Sequence, residues 1–168
     1  MSSVMLLKKE LTVPVLTEHL ADLMIERKWL LASAESCTGG LISAACTDLA
    51  GSSNWFERGF VTYSNQAKTE LLGMDAALIA AHGAVSEEVA RAMAAGAIAR
   101  SRAQVAVAVT GVAGPTGGSR AKPVGMVWFG FMLAGQCSSE VQHFDGDRAA
   151  VRLATVQHAL HRLVQLLG

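Results

Sequence analysis

At 168 residues, with 51% hydrophobic and 17% charged residues and 14 basic against 14 acidic side chains, the chain has apolar surface for one packed domain and no charge excess. That balance excludes a disordered segment and argues against a nucleic-acid partner, which a basic surface would accompany. The three cysteines, Cys37, Cys46 and Cys137, form no CxxC pair and cannot all be bridged, which suits a reducing compartment and an expected cytoplasmic location.

The first residues carry only a short apolar patch before Lys8, Lys9 and Glu10, so no signal peptide is expected, and residues 1–14 read as a frayed end. No later stretch supplies the roughly 18 uninterrupted apolar residues of a membrane span. From Val15 to Lys28, Val15, Leu16, Leu20, Leu23, Met24 and Ile25 recur at helical spacing, with Thr17 or Glu18 near the start. Trp29 to Ala34 reads as a strand that runs into Glu35 and Ser36, and Gly39 to Leu49 as a helix stopped at Gly51. A second strand and helix follow in Arg58–Ser64, rich in β-branched and aromatic residues, and in the segment NQAKTELLG, ended by Gly73. Ser86 opens a helix with acids in its first turn and arginines at its end, with Val89, Met93, Ala97 and Ile98 on one face.

Three further strands are expected at Val105–Gly111, Val124–Leu133 and Ser138–Phe144, the last two forming a hairpin around Ala134 and Gly135. Asp147 then caps a helix that runs to about Leu167. Helices interleaved with continuous apolar strands such as VAVAV imply an α/β fold, a mostly parallel sheet covered on both faces and made mixed by the hairpin.

Ligands bind such sheets at the carboxyl ends of the strands. Three polar segments fall there: ESCTGG after the first strand, TYSNQAK after the second and TGVAGPTGG after the third. In the first, Ser36 or Thr38 suits a helix cap, and Ser36 equally suits a nucleophile on a tight turn with free backbone N–H groups around it. Cys37 is the alternative nucleophile, or a small packed apolar residue. His82, His143, His158 and His161 have no evident tie to Ser36, so a base must come from elsewhere. Lys68 is the candidate, and Tyr63, five positions before it, is placed to relay a proton or orient it. As plain structure, the two are an exposed helix lysine and a half-buried strand tyrosine.

The Tyr63–Lys68 spacing is one residue too long for the Tyr-x-x-x-Lys of short-chain dehydrogenases, and no GxGxxG opens the chain. The segment GVAGPTGG lacks the GK[ST] of a P-loop and remains a turn or an anion cradle. His158 and His161 have a spacing that zinc sites use, but no third ligand accompanies them, and no metal is expected. Arg148 is either a phosphate clamp at a helix start or a solvated cap residue. Trp55, Phe56, Trp128, Phe129 and Phe131 read as core or interface.

The segments AESCTGG, GSSNWFERGFVTYSNQAK, HGAVSEEVA, TGVAGPTGGSRAKPVGMVWF and GDRAAVR, in this order from about Leu30 to the last helix, resemble the successive motifs of the CinA C-terminal domain family. The resemblance implies one domain over 1–168, folded as a three-layer α/β/α sandwich. It also implies hydrolysis of the carboxamide of nicotinamide mononucleotide to nicotinate mononucleotide and ammonia, in pyridine-nucleotide (NAD) recycling. No cofactor is implied, and the nucleotide-cleaving N-terminal domain of longer family members is not carried over. By the same resemblance Ser36 is the nucleophile and Lys68 and Tyr63 assist it. Thr38, Gly39, Gly40, Thr110, Gly111, Gly114 and Arg148 are the expected substrate contacts. Two other classes stay open: a non-catalytic nucleotide-binding or competence-related interaction domain, and an amidase for another small carboxamide. A small-molecule partner, no nucleic acid, no membrane and a homo-oligomer are the expected associations.

Overall fold

The computed structural model describes residues 11–168. Its elements are α1 (Val13–Arg27), β1 (Leu31–Glu35), α2 (Leu41–Thr47), a 3₁₀ turn (Ser52–Asn54), β2 (Phe56–Val61), α3 (Asn65–Leu72), α4 (Ala76–His82), α5 (Glu87–Ala99), β3 (Val105–Gly111), β4 (Met126–Leu133), β5 (Gln136–His143) and α6 (Arg148–Leu167). The five strands form one sheet in the order β2-β1-β3-β4-β5. Pairing is parallel across β2, β1 and β3 and antiparallel from β3 through β5. The hairpin thus makes the sheet mixed, as expected, with its parallel part confined to β2, β1 and β3.

Period-two alternation in β3 sorts the two layers. Val105, Val107 and Val109 face α1, α2 and α6, whereas Ala106 and Ala108 face α3, α4 and α5. The second face is built from small residues in register: Ala34 pairs with Ala108, which pairs with Gly130. Their lack of bulk lets α5 lie close to the sheet, with Ala90 and Ala94 fully buried against it. A Cβ on Gly130 would overlap the Ala90 carbonyl, and one on Gly96 of α5 would overlap the Leu72 carbonyl of α3.

Where element ends depart from expectation, local chemistry explains the shift. Thr12 caps α1 by accepting from the Val15 N–H at 3.4 Å, so Val13 and Pro14 are helical and the expected frayed end does not extend to residue 14. Residues 1–10, the rest of that expectation, lie outside the described residues. Helix α2 starts only at Leu41, because Gly39 (φ 58°) and Gly40 (φ 108°) occupy left-handed backbone conformations. Strand β2 ends at Val61, since Ser64 turns outward to cap α3 by accepting from the Ala67 N–H at 3.0 Å. Helix α4 is absent from the sequence reading: it has 7 residues and buries only Ile79, too little periodicity to register. Ala134 and Gly135 both have positive φ, as the expected tight hairpin requires.

Gly130→Ala is expected to destabilise the fold by about 1–3 kcal/mol, because the backbone of α5 must move to admit one methyl group. Urea unfolding checks this, and an unchanged midpoint would show that α5 has room to spare.

Candidate active site

The carboxyl ends of β1, β2 and β3 converge on a cavity of about 370 Å³ lined by Ser36, Cys37, Tyr63, Asn65, Lys68, Thr110, the loop from Gly111 to Gly114, and Arg148. Ser36 follows β1 directly, and its N–H donates to the Val109 carbonyl of β3 at 3.1 Å, so the nucleophile candidate is tied to the sheet. Its side chain is not a helix cap. The carboxylate of Glu35 does that work instead, accepting from the N–H groups of Ile42 at 2.8 Å and Ser43 at 3.0 Å at the start of α2. Thr38 is not a cap either, since its hydroxyl donates to Glu35 at 2.7 Å.

Lys68 enters from the first turn of α3 and is not the exposed helix lysine of the plainer reading; it is 1% exposed. Its Nζ stands 3.0 Å from Ser36 Oγ, 3.0 Å from the Thr62 carbonyl and 3.2 Å from the Tyr63 carbonyl. No ion pair involves Lys68 among the described residues. Burial without a neutralising acid holds its pKa below the ordinary 10.5, with the Cys37 thiol acting in the opposite sense.

Tyr63 contributes to this pair through its backbone carbonyl. Its side chain is 63% exposed, and the phenol oxygen accepts from Arg148 at 3.1 Å, with no hydrogen bond to Ser36 or Lys68. Arg148 also donates to the Gly114 carbonyl at 2.8 Å, so one guanidinium joins the loops after β2 and β3 at the cavity mouth. Thr110 lines the wall with its hydroxyl committed to the Ala84 carbonyl at 2.8 Å. Gly111 packs against Val127 too closely for a side chain. Ala113 and Gly114 bring to the cavity backbone N–H groups that donate to no acceptor among the described residues.

Three expected contacts are corrected. Thr38, Gly39 and Gly40 do not line the cavity: Thr38 is fully buried against Glu35, and the two glycines serve the tight turn. Cys37 does line it, but burial pushes its thiol up to about 11, and Lys68 Nζ is hydrogen-bonded to Ser36 Oγ and not to the sulfur. His158, weighed as a metal ligand, has its Nε2 2.5 Å from Glu140, which also accepts from Arg162 at 3.0 Å.

Residues that the sequence reading passed over include Glu35, Asn65 and Arg152. Arg152 donates to the carbonyls of Cys37 and Thr38, both at 3.1 Å, bracing the turn from α6. The available signal was its place four residues after Arg148, on the same helix face.

The fold and the cavity define a three-layer α/β protein whose polar cavity lies at the carboxyl ends of three parallel strands. More particularly, the chain belongs to the CinA C-terminal domain family, whose model matches residues 14–167. It is 56% identical over 133 residues to the nicotinamide-nucleotide amidohydrolase PncC of Enterobacter agglomerans, covering 79% of this chain and 81% of that protein. Over 151 residues it is 49% identical to the PncC of Escherichia coli K12, covering 89% and 92%. Among solved structures, a competence-damaged protein (CinA) superfamily protein from Escherichia coli superposes with a TM-score of 0.91 at 39% identity, covering 94% of this chain and 92% of that one.

Alkylation of the native protein by iodoacetamide at neutral pH is expected to modify Cys137, which is partly exposed, and to spare buried Cys37 and Cys46 until unfolding. Rapid labelling of Cys37 in peptide mass spectrometry would reinstate the thiol as a nucleophile.

Proposed function

We propose that the chain hydrolyses the carboxamide of nicotinamide mononucleotide to nicotinate mononucleotide and ammonia, with Ser36 as nucleophile and Lys68 as its base. The observation that carries this reading is the buried Lys68 Nζ at 3.0 Å from Ser36 Oγ. The names of the two PncC relatives supply the substrate.

A buried amine has three positions to satisfy, and here it has three oxygen partners. As ammonium, Lys68 donates to all three. As neutral amine, it donates to the two carbonyls and turns its lone pair to the Ser36 hydroxyl. The carbonyls of Thr62 and Tyr63 thereby aim the basic electron pair, and the lowered pKa makes the neutral form accessible.

Ser36 Oγ attacks the carboxamide carbon as its proton passes to Lys68. The tetrahedral oxyanion is stabilised by the N–H of Cys37, the residue after the nucleophile, which donates to no backbone carbonyl among the described residues. Collapse expels ammonia, which takes the proton from Lys68 and leaves an ester on Ser36. Water then attacks that ester, Lys68 accepting its proton and returning it to Ser36. Arg148 and the N–H groups of Ala113 and Gly114 suit the substrate phosphate. Tyr63 takes part in binding at the mouth and its carbonyl orients Lys68, a reading supported by its contacts with Arg148 and Lys68.

Ammonia release from nicotinamide mononucleotide is expected to fall by about 10³-fold or more in Ser36→Ala, with folding checked by circular dichroism. Because the neutral amine is the active form, kcat/KM should rise with pH along a limb centred below 10.5, and Lys68→Met should abolish that limb. Release undiminished in Ser36→Ala would sink the mechanism. A folded wild type that releases ammonia from another carboxamide, or from none, would move the reading to a different amidase or to a binding domain.

A further inference from the structure

Glu35 is fully buried at the end of β1, immediately before the nucleophile candidate. Its two oxygens accept from five donors: the Ser33 hydroxyl at 3.1 Å, the Thr38 hydroxyl at 2.7 Å, the Ile42 N–H at 2.8 Å, and the Ser43 N–H at 3.0 Å and hydroxyl at 2.7 Å. No basic side chain pairs with it among the described residues. A carboxylate satisfied wholly by neutral dipoles can sit only where those dipoles converge, so it dictates the path of the chain between them.

That path is the turn from Ser36 to Gly40. Helix α2 has Gly40 at its N-cap and therefore no capping side chain of its own. With Glu35 taking the orphan N–H groups of Ile42 and Ser43, and holding Thr38 as well, Ser36 Oγ is not drawn into capping. Ser36 Oγ is left to Lys68, and the Cys37 N–H donates to no backbone carbonyl among the described residues.

We propose that Glu35 is a positioning residue for the reaction: by capping α2 in place of the nucleophile, it sets the hydroxyl of Ser36 and the N–H of Cys37 in their working orientations. This rests on the reading of Ser36 as nucleophile. Glutamine is close to glutamate in shape but presents an amide NH₂ where a second acceptor oxygen is required, so Glu35→Gln sets a donor against one of the Ser43 or Ile42 N–H groups and loosens the turn.

The test compares wild type, Ser36→Ala and Glu35→Gln by circular dichroism, by kcat and KM for nicotinamide mononucleotide, and by calorimetric affinity for nicotinate mononucleotide. In folded Glu35→Gln, kcat is expected to fall about 10²-fold, as for a misplaced reacting group, with KM and product affinity unchanged. A merely structural role would lower the unfolding midpoint but leave kcat per folded molecule at the wild-type value, and that result overturns the proposal. Turnover undiminished in Ser36→Ala overturns the nucleophile reading and this one together. An inactive Ser36→Ala beside a fully active Glu35→Gln overturns the positioning role alone. Should Glu35→Gln not fold, Thr38→Val and Ser43→Ala each remove side-chain donors to the same carboxylate, and the proposal requires kcat to fall in both without a change in KM.

Discussion

The site buries one acid and one base beside Ser36 and keeps them from pairing. Glu35 is satisfied by hydroxyls and backbone N–H groups, and Lys68 by two carbonyls and a hydroxyl. Had the two met as an ion pair, the lysine would be held as ammonium and could take no proton. Separation leaves the amine desolvated with no compensating charge, which is the condition that lowers its pKa. The turn at Ser36 therefore depends on where neutral dipoles are delivered, and the rest of the fold delivers them.

Delivery comes from both layers of the sandwich. The α2 amides reach Glu35 from one face of the sheet, while α3 carries Lys68 in from the other. The edge strand β2 lies beside β1 in parallel, so the chain leaving it supplies the carbonyls of Thr62 and Tyr63 next to the end of β1. Helix α6 adds two arginines from one face, Arg148 at the cavity mouth and Arg152 on the carbonyls of Cys37 and Thr38. A helix formed by the last part of the described chain thus braces a turn more than a hundred residues earlier.

Small residues make this arrangement compact. Ala34, Ala108 and Gly130 form a low row across three strands, on which α5 seats close to the sheet. Ser86 caps α5, and the Ala84 carbonyl just before it accepts from Thr110, so the seating of α5 also fixes the wall of the cavity.

By itself, the sequence determined the order of the strands and of every helix but α4, the hairpin at Ala134 and Gly135, and the three polar segments at strand ends. These are local properties of periodicity and turn chemistry, and AESCTGG and TYSNQAK were legible as a candidate serine and lysine on the same grounds. The pairing of Ser36 with Lys68, 32 positions apart, required the parallel register of β1 and β2. Nor could pattern tell that Tyr63 meets Lys68 through its carbonyl and Arg148 through its phenol, because that depends on where Arg148 lies. Glu35 shows the limit most clearly: within AESCTGG it is an acid at a strand end, and only the packed structure, by bringing five donors to it, makes it the cap of the next helix. Which polar atoms meet is settled by desolvation, since a buried charge takes the partners that the fold leaves within reach.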